Sequence, residues 1–280
     1  MKQRSYTILT LMFFGYAFLY LPIGLLVVYS FNDSQISTVW NGFSLRWYRE
    51  LFDNEALLSA AWLSIKIAFV SASFATVFGT LAGMALNQMG SFRGRLLFTA
   101  LIAAPLVMPE VITGLSLLLM FISTEQMFGW PDGRGAFTIT LAHITFSMAF
   151  VAVIVQSRLQ TLDQSMIEAA MDLGGRPYRV ALDVTLPLIA PAVMAGWLLA
   201  FTLSLDDLVI ASFVSGPGSS TLPMVIFSKV RLGVSPDVNA LATLMISVVG
   251  LGVAIAGFVM LRQLNQAERQ AERSMLSAGK

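Results

Sequence analysis

Long apolar runs separated by short polar segments make up most of the chain. Six runs are long enough to form membrane-spanning helices, and they lie at about 8–29, 57–87, 96–122, 136–156, 188–214 and 240–261. A helix needs about 20 mainly apolar residues to cross a hydrocarbon core roughly 30 Å thick. The pattern therefore predicts an all-α, polytopic membrane protein with six transmembrane helices.

The composition fits a chain that is surrounded by a lipid bilayer. Of the 280 residues, 56% are hydrophobic and 12% are charged, which is about half the charged share of an average soluble domain. The net charge of +1 gives no reason to expect a nucleic acid partner. Cysteine is absent and His143 is the only histidine, so we expect no thiolate or histidine-based metal site. The sequence shows no internal repeat and no low-complexity tract, so residues 1–280 are predicted to form a single transmembrane domain.

The distribution of lysine and arginine predicts which side of the membrane each loop faces, because cytoplasmic loops carry an excess of both. With both termini in the cytoplasm, 11 of these residues lie inside and 5 outside, and the opposite orientation reverses the counts. The inner set is Lys2, Arg4, Arg93, Arg95, Arg158, Arg176, Arg179, Arg262, Arg269, Arg273 and Lys280, and the outer set is Arg46, Arg49, Arg134, Lys229 and Arg231. We therefore predict that both termini are cytoplasmic.

The polar segment between the fourth and fifth spans, at about 160–187, carries the sequence signals of two short helices. Ser165 and Glu168 have the spacing of a capping box, which marks a helix start. Gly174 suits the left-handed position that ends a helix, and Pro177 suits the first turn of the next one. Such a helix pair, held between two spans, would transmit force from a cytoplasmic partner to both of them.

Residues at fixed spacings in this segment carry a resemblance to a known family. Glu168-Ala169-Ala170 is followed by Gly174 and then by Leu186-Pro187. The pattern resembles the EAA loop of type I ABC-importer permeases, which have a MetI-like fold, although that family has isoleucine where this chain has Val184. The resemblance implies a coupling helix that sits in a groove of a separate ATPase, with Glu168 as the acidic contact. The residues it assigns to ATPase coupling are Glu168, Ala169, Ala170, Asp172, Gly174, Leu186 and Pro187. The alternative is a surface helix pair in which Glu168 only caps a helix.

The chain lacks the residues needed to hydrolyse ATP itself. A phosphate loop has the form Gly-x-x-x-x-Gly-Lys-Ser/Thr, whose backbone N–H groups and lysine cradle the phosphates. The four lysines, Lys2, Lys66, Lys229 and Lys280, all lie outside such a context. We therefore expect ATP and Mg²⁺ on a partner ATPase, and no cofactor or catalytic residue in this chain.

Four ionisable residues lie inside the predicted spans. They are Lys66 in the second, Glu110 in the third, and Asp206 and Asp207 in the fifth, where Ser204 is a polar neighbour. Charges within a membrane usually face a helix-bundle interior or a water-filled path. Three acids against one base favour a cationic substrate, so Glu110, Asp206, Asp207 and Ser204 are the candidates for lining its path. Adjacent residues point about 100° apart on a helix. One aspartate could therefore face the path while the other pairs within the bundle, with Lys66 as a candidate partner. The alternative is that the acids only form internal ion pairs or helix caps.

Longer stretches of the sequence resemble one branch of this family. They cover 104–118, 168–174 and 196–218, and the N-terminal part fits as well. The branch is the second permease subunit of bacterial putrescine importers, in the spermidine/putrescine group, whose members carry aspartate where this chain has Glu110. The resemblance implies import of a polyamine, most readily putrescine, across the bacterial inner membrane. The partners it implies are a homologous second permease subunit, an ATPase dimer and a periplasmic polyamine-binding protein.

Three other functions stay open on the sequence. The first is an importer of the same kind that carries another cationic solute or an amino acid. The second is a transporter driven by an ion gradient, since such proteins also use charged residues inside their spans. The third is an intramembrane serine protease built on Ser116 and His143, but no group near them supplies the oxyanion hole that this chemistry needs.

Overall fold

The computed structural model of the chain describes residues 3–35, 39–232, 236–248, 250, 251 and 258. All named elements in these residues are helical, and a single isolated bridge joins Asn32 to Phe43. Five helices among them are long and apolar enough to cross a membrane. The all-α prediction is confirmed.

In chain order the helices are α1 (Gln3–Tyr29), α2 (Arg46–Asp53), α3 (Glu55–Gln88), α4 (Arg95–Val107), α5 (Glu110–Phe128), α6 (Ala136–Gln160), α7 (Gln164–Asp172), α8 (Pro177–Val180), α9 (Leu186–Asp206), α10 (Val209–Val214), α11 (Leu222–Leu232) and α12 (Pro236–Val248). The first, second and fourth predicted spans fall within α1, α3 and α6, which are long and apolar enough to cross a membrane. Of the sixth predicted span, at 240–261, the part up to residue 248 belongs to α12 and most of the remainder lies outside the described residues.

The third predicted span, at 96–122, contains Pro105 and Pro109, which predict an interrupted helix, and the structure has such a break at Pro109. The chain leaves the helical conformation at Met108, whose ψ is 137°, and α5 begins at Glu110. Pro109 causes this break, because a proline disfavours the helical conformation in the residue before it and has no N–H to donate. Two helices, α4 and α5, therefore replace the predicted span, and Glu110 becomes the first residue of α5.

The fifth predicted span, at 188–214, starts too late in the prediction. A helical run extends without interruption from Pro177 to Asp206, and it includes a π-helical turn at Ala181–Thr185 between α8 and α9. Pro187 accounts for the π turn, because in a regular α-helix its ring would clash with the carbonyl group four residues earlier. The second short helix predicted for the 160–187 segment is therefore the first turn of a long membrane helix.

The structure divides into two compact units, Met1–Glu55 with Lys229–Lys280, and Ala56–Ser228. The prediction of a single domain over 1–280 stays a prediction. In the first unit, the side chains of α1 are largely exposed along its apolar stretch, as expected for a helix that lipid covers. The loop after α1 is held by Asn32, whose backbone oxygen accepts a hydrogen bond from Trp47 Nε1 at 2.7 Å.

The core of the second unit consists of two apolar clusters that both include α6. The first joins α3, α5, α6 and α10 through Ile67, Leu117, Phe121, Ile139, Ala142, Phe146, Ile210, Ala211 and Val214. The second joins α3, α6 and α9 through Ala72, Ala75, Val151, Val155, Leu159, Ile189 and Ala200. The helix α6 is therefore the centre of this unit, and it carries the histidine discussed below.

Close packing of α3 on α6 depends on glycine. A Cβ atom at Gly79 would lie 2.6 Å from the Cβ of Val151 and 2.7 Å from the backbone oxygen of Met148. Small residues permit such approaches between membrane helices. The Gly79-x-x-x-Gly83 pattern of α3 is therefore a packing feature.

We expect Gly79→Ala to destabilise the second unit by about 1–3 kcal/mol, because the added methyl group must push α3 and α6 apart. Thermal unfolding of the detergent-solubilised protein measures the loss. Gly15→Ala is the matched control, since nothing lies within 4 Å of the Cβ position at Gly15. Equal melting temperatures for the two variants would contradict this packing.

Candidate functional site

The segment after α6 begins with a capped helix. The side chain of Asp163 accepts a hydrogen bond from the backbone N–H of Ser165 at 3.0 Å and so caps α7. The predicted capping box from Ser165 to Glu168 is therefore wrong, because a carboxylate ahead of the helix satisfies this N–H. The same hydrogen bond lowers the pKa of Asp163 below its ordinary value of 3.8. The cap is therefore complete above pH 3.8 and is lost only as the pH falls through the lowered pKa.

A glycine turn ends α7 as predicted. Gly174 has a φ of +84°, the left-handed conformation that glycine adopts readily. The N–H of Gly174 donates to the oxygen of Met171 at 2.9 Å, and that of Gly175 donates to Ala170 at 3.1 Å, which is the Schellman pattern. Gly175, which the sequence interpretation overlooked, is needed because a Cβ there would lie 2.6 Å from the oxygen of Ala170.

The residues assigned to ATPase coupling fall into two groups in the structure. Glu168, Ala169 and Asp172 are exposed on α7, Ala170 is half-buried beneath them, and Gly174 is exposed at the turn. The other group, Leu186 and Pro187, lies within the long helical run that starts at Pro177, and Pro187 is exposed while Leu186 is half-buried.

Apolar side chains surround the exposed acids of this segment. Leu173, at the glycine turn, exposes 89% of its surface, and Met171 and Tyr178 are also exposed. Ile167 and Val180 point the other way and are buried, which fixes the short helix to the base of the long one. A surface of this kind, apolar with carboxylates at its edge, suits a groove that is apolar and carries basic residues.

The second part of the candidate site is the end of α9, where the two aspartates separate. Asp206 is the last residue of α9, and Asp207 is extended with a ψ of 125°. The Asp207 carboxylate accepts hydrogen bonds from the N–H groups of Ile210 at 3.2 Å and Ala211 at 2.7 Å. Asp207 therefore caps α10, and the prediction that both aspartates lie on one helix is wrong.

A buried histidine binds the same carboxylate. His143 Nε2 lies 3.1 Å from Asp207 Oδ2, and its Nδ1 lies 2.6 Å from Ser204 Oγ, which in turn accepts a hydrogen bond from Ser71 at 2.9 Å. The side chains of His143 and Asp207 are only 2% and 8% exposed. Sequence reasoning missed this role of His143, although a lone histidine in a span, with unpaired aspartates in another span, was a usable signal.

The pairing of Asp207 corrects two sequence hypotheses. Lys66 is not its partner: the Lys66 ammonium lies 5.1 Å from the ring centroid of Trp62 and borders a cavity of about 510 Å³. The protease hypothesis for Ser116 and His143 also loses its base, since both ring nitrogens of the histidine are engaged elsewhere. The Ser204–His143–Asp207 set that forms instead is buried, so its hydroxyl cannot reach a substrate.

Two acids remain exposed, Glu110 and Asp206. Within the described residues, no side chain forms a hydrogen bond or ion pair with either carboxylate. Each stands where a helix begins or breaks. The helices α5 and α10 lie close together, since a Cβ at Gly114, four residues after Glu110, would lie 3.3 Å from the Cα of Ile210, four residues after Asp206. Both α5 and α10 run antiparallel to α6, because α5 joins it through the loop 129–135 and α10 bonds to it at both ends. The two carboxylates therefore lie at the same end of neighbouring parallel helices.

This arrangement can attract a cation. Among the described residues, no group of three His, Asp or Glu side chains is placed to hold a metal ion. Charged groups at broken helices within a membrane are typical of transport sites, where the irregular backbone lines a cavity.

Comparison with known proteins adds a sequence family and a fold. Residues 75–270 match the family described as "Binding-protein-dependent transport system inner membrane component". The chain is 54% identical over 271 residues to the putrescine transport system permease protein PotI of Escherichia coli (strain K12), which covers 97% of this chain and 96% of that protein. It is 42% identical over 247 residues to the spermidine/putrescine transport system permease protein PotC of the same strain, covering 88% and 90%. Its fold is similar to a chain of a bacterial ABC transporter involved in the import of the acidic polysaccharide alginate, with a TM-score of 0.71 at 16% identity over 92% of this chain and 97% of that one.

Proposed function

The chain belongs to the binding-protein-dependent transport system inner membrane component family, and from that premise we propose that it is the permease subunit of an ATP-driven polyamine importer, with putrescine as the principal substrate. The single observation that carries the substrate is the likeness to PotI, which extends over nearly the whole of both chains. The second relative, PotC, also carries putrescine in its name, so the substrate class does not depend on one comparison.

The exposed carboxylates support a cationic substrate. Glu110 and Asp206 stand at the same end of α5 and α10, while Asp207 is engaged by three hydrogen-bond donors. Putrescine is an extended dication, and two separated carboxylates suit two ammonium groups better than one would. Of the four residues predicted for the substrate path, we therefore propose Glu110 and Asp206 as the two that meet substrate.

We propose that a partner ATPase supplies the energy through α7. Docking on Glu168 and the exposed side chains around it would let closure of the ATPase move this helix. The run from Pro177 to Asp206 has 30 residues. At 1.5 Å per residue it is about 45 Å long, so it joins the docking segment directly to the aspartate at its far end. Movement of α7 would thereby tilt the helix that carries Asp206.

The remaining partners and the orientation follow from the same proposal. A second, homologous permease subunit would supply the other wall of the path, and a periplasmic binding protein would deliver the polyamine. The excess of Lys and Arg on one side supports an orientation with α7, both termini and the ATPase in the cytoplasm. The membrane is then the bacterial inner membrane.

The test is uptake of labelled putrescine into proteoliposomes that contain this subunit with its genomic partner subunits and ATP. We expect this uptake to require ATP and the binding protein, and we expect unlabelled putrescine or spermidine to compete with the labelled putrescine. Competition by an amino acid or another cation alone would reassign the substrate while retaining the importer. Uptake that needs an ion gradient and no ATPase would contradict the importer itself.

A further inference from the structure

We infer that Ser204, His143 and Asp207 form a positioning network, which holds the chain break after Asp206 and so directs the Asp206 carboxylate, and that neither Ser204 nor Asp207 touches substrate. The inference rests on the proposed function only for the role of Asp206 in the cation path. Asp206 and Asp207, which the sequence alone does not distinguish, thereby receive different roles: Asp206 meets the cation and Asp207 holds the backbone.

We take Asp207 as a carboxylate and His143 as a neutral ring, and this assignment sets the order of donors and acceptors in the network. An ionised carboxylate only accepts hydrogen bonds, so His143 Nε2 carries the proton that is shared with Asp207. In the neutral ring Nδ1 is then an acceptor, so Ser204 donates to it, and Ser71 donates to Ser204. The hydrogen bonds therefore run in one direction from α3 through α9 and α6 to the cap of α10.

Burial makes the network a constraint on the backbone. Ser71 is 0% exposed and Ser204 is 6% exposed, so water cannot readily replace a lost partner. An unsatisfied buried polar group is costly, and a charged one more so. The state of lowest free energy is therefore the one in which all these hydrogen bonds form. That state requires the chain to leave the helical conformation of α9 at Asp207.

Asp207 supplies a local cause for the break. No proline or glycine lies between Leu203 and Ser212, and leucine continues a helix readily. The carboxylate of Asp207 provides an alternative to the helical hydrogen bonds by binding the N–H groups of Ile210 and Ala211, and His143 holds that carboxylate in place. Asp206, which immediately precedes the break, is exposed as a consequence.

A single thiol can report the position of residue 206, because the chain contains no cysteine. We would introduce Asp206→Cys into the assembled transporter, with cysteine-free partner subunits, and measure its reaction rate with a cationic methanethiosulfonate reagent. Adding His143→Leu should change this rate by about fivefold or more, the effect expected when a buried hydrogen bond to a charged group is lost. His143→Gln keeps an N–H donor for Asp207 and should stay within about twofold of the single variant.

Two controls separate local positioning from general loosening. Ser204→Ala should shift the rate in the same direction as His143→Leu but less. Thr202→Ala should not, since Thr202 is exposed and, in the described part of the chain, its side chain donates to the Leu198 oxygen of its own helix. A thiol at Asp132, in the loop before α6, should keep its rate in the His143→Leu background.

Unchanged rates at residue 206 in both His143→Leu and Ser204→Ala would overturn the inference, and so would an equal change at residue 132. The measurement does not depend on which solute is carried. A failure of the proposed function, seen as absence of putrescine uptake by the unsubstituted transporter, is therefore distinguishable from a failure of the positioning network.

Discussion

Glu168→Lys is expected to reduce ATP-driven uptake by about a hundredfold or more, because it reverses the charge at the centre of the exposed face of α7. Placing like charges together at an interface costs several kcal/mol, and each 1.4 kcal/mol is a factor of about ten. The substitution should leave folding intact, since Glu168 is exposed and Asp163, not Glu168, caps this helix. Uptake into proteoliposomes and co-purification of the ATPase measure the effect.

The matched control for this prediction is Asp132→Lys, which makes the same charge change at an exposed position in the loop between α5 and α6. It should transport at the rate of the unsubstituted protein. Normal uptake by Glu168→Lys, with the ATPase still bound, would show that α7 is only a capped surface helix. Loss of uptake in both variants would mean that the charge change acts on the protein in general.

The sequence predicted the glycine turn after α7 well because the determinants of that turn are local. Gly174 adopts the left-handed conformation that glycine favours, and Pro177 opens the next helical turn. The N-cap of α7 was misassigned. Ser165 and Asp163 are both residue types that commonly cap helices, and only the hydrogen bond seen in the structure identifies Asp163 as the cap. The continuity of α8 with α9 was missed for a different reason. A proline such as Pro187 is common at the start of a helix, but here the π turn before it accommodates the proline inside a helix.

The two helix breaks differ in how far the sequence could predict them. The break before α5 follows from Pro109 acting on Met108, a rule between neighbours that was available from the sequence. The break after Asp206 depends on His143, which lies 64 residues before Asp207 in the chain. Contacts of that separation leave no periodic signal, so the sequence could not predict which of the two aspartates stays exposed.

Neutral isosteres of the two exposed acids should give the second large effect. We expect Asp206→Asn and Glu110→Gln each to lower putrescine uptake by about tenfold to a hundredfold, the value of one hydrogen bond between charged groups. Both carboxylates are exposed and lack a side-chain partner in the described part of the chain, so the variants should assemble normally. Asp132→Asn is the matched control, because it removes a charge from an exposed loop away from the helix breaks, and it should leave uptake unchanged.

The double variant Asp206→Asn with Glu110→Gln distinguishes a shared site from two separate ones. If both carboxylates bind the same dication, the second substitution should cost less than the first, because interacting sites are not additive. If they act at different stages of the path, the losses should multiply. Normal uptake in all three variants would show that this acidic pair does not select the substrate, and that the selective contacts come from the partner permease or the binding protein.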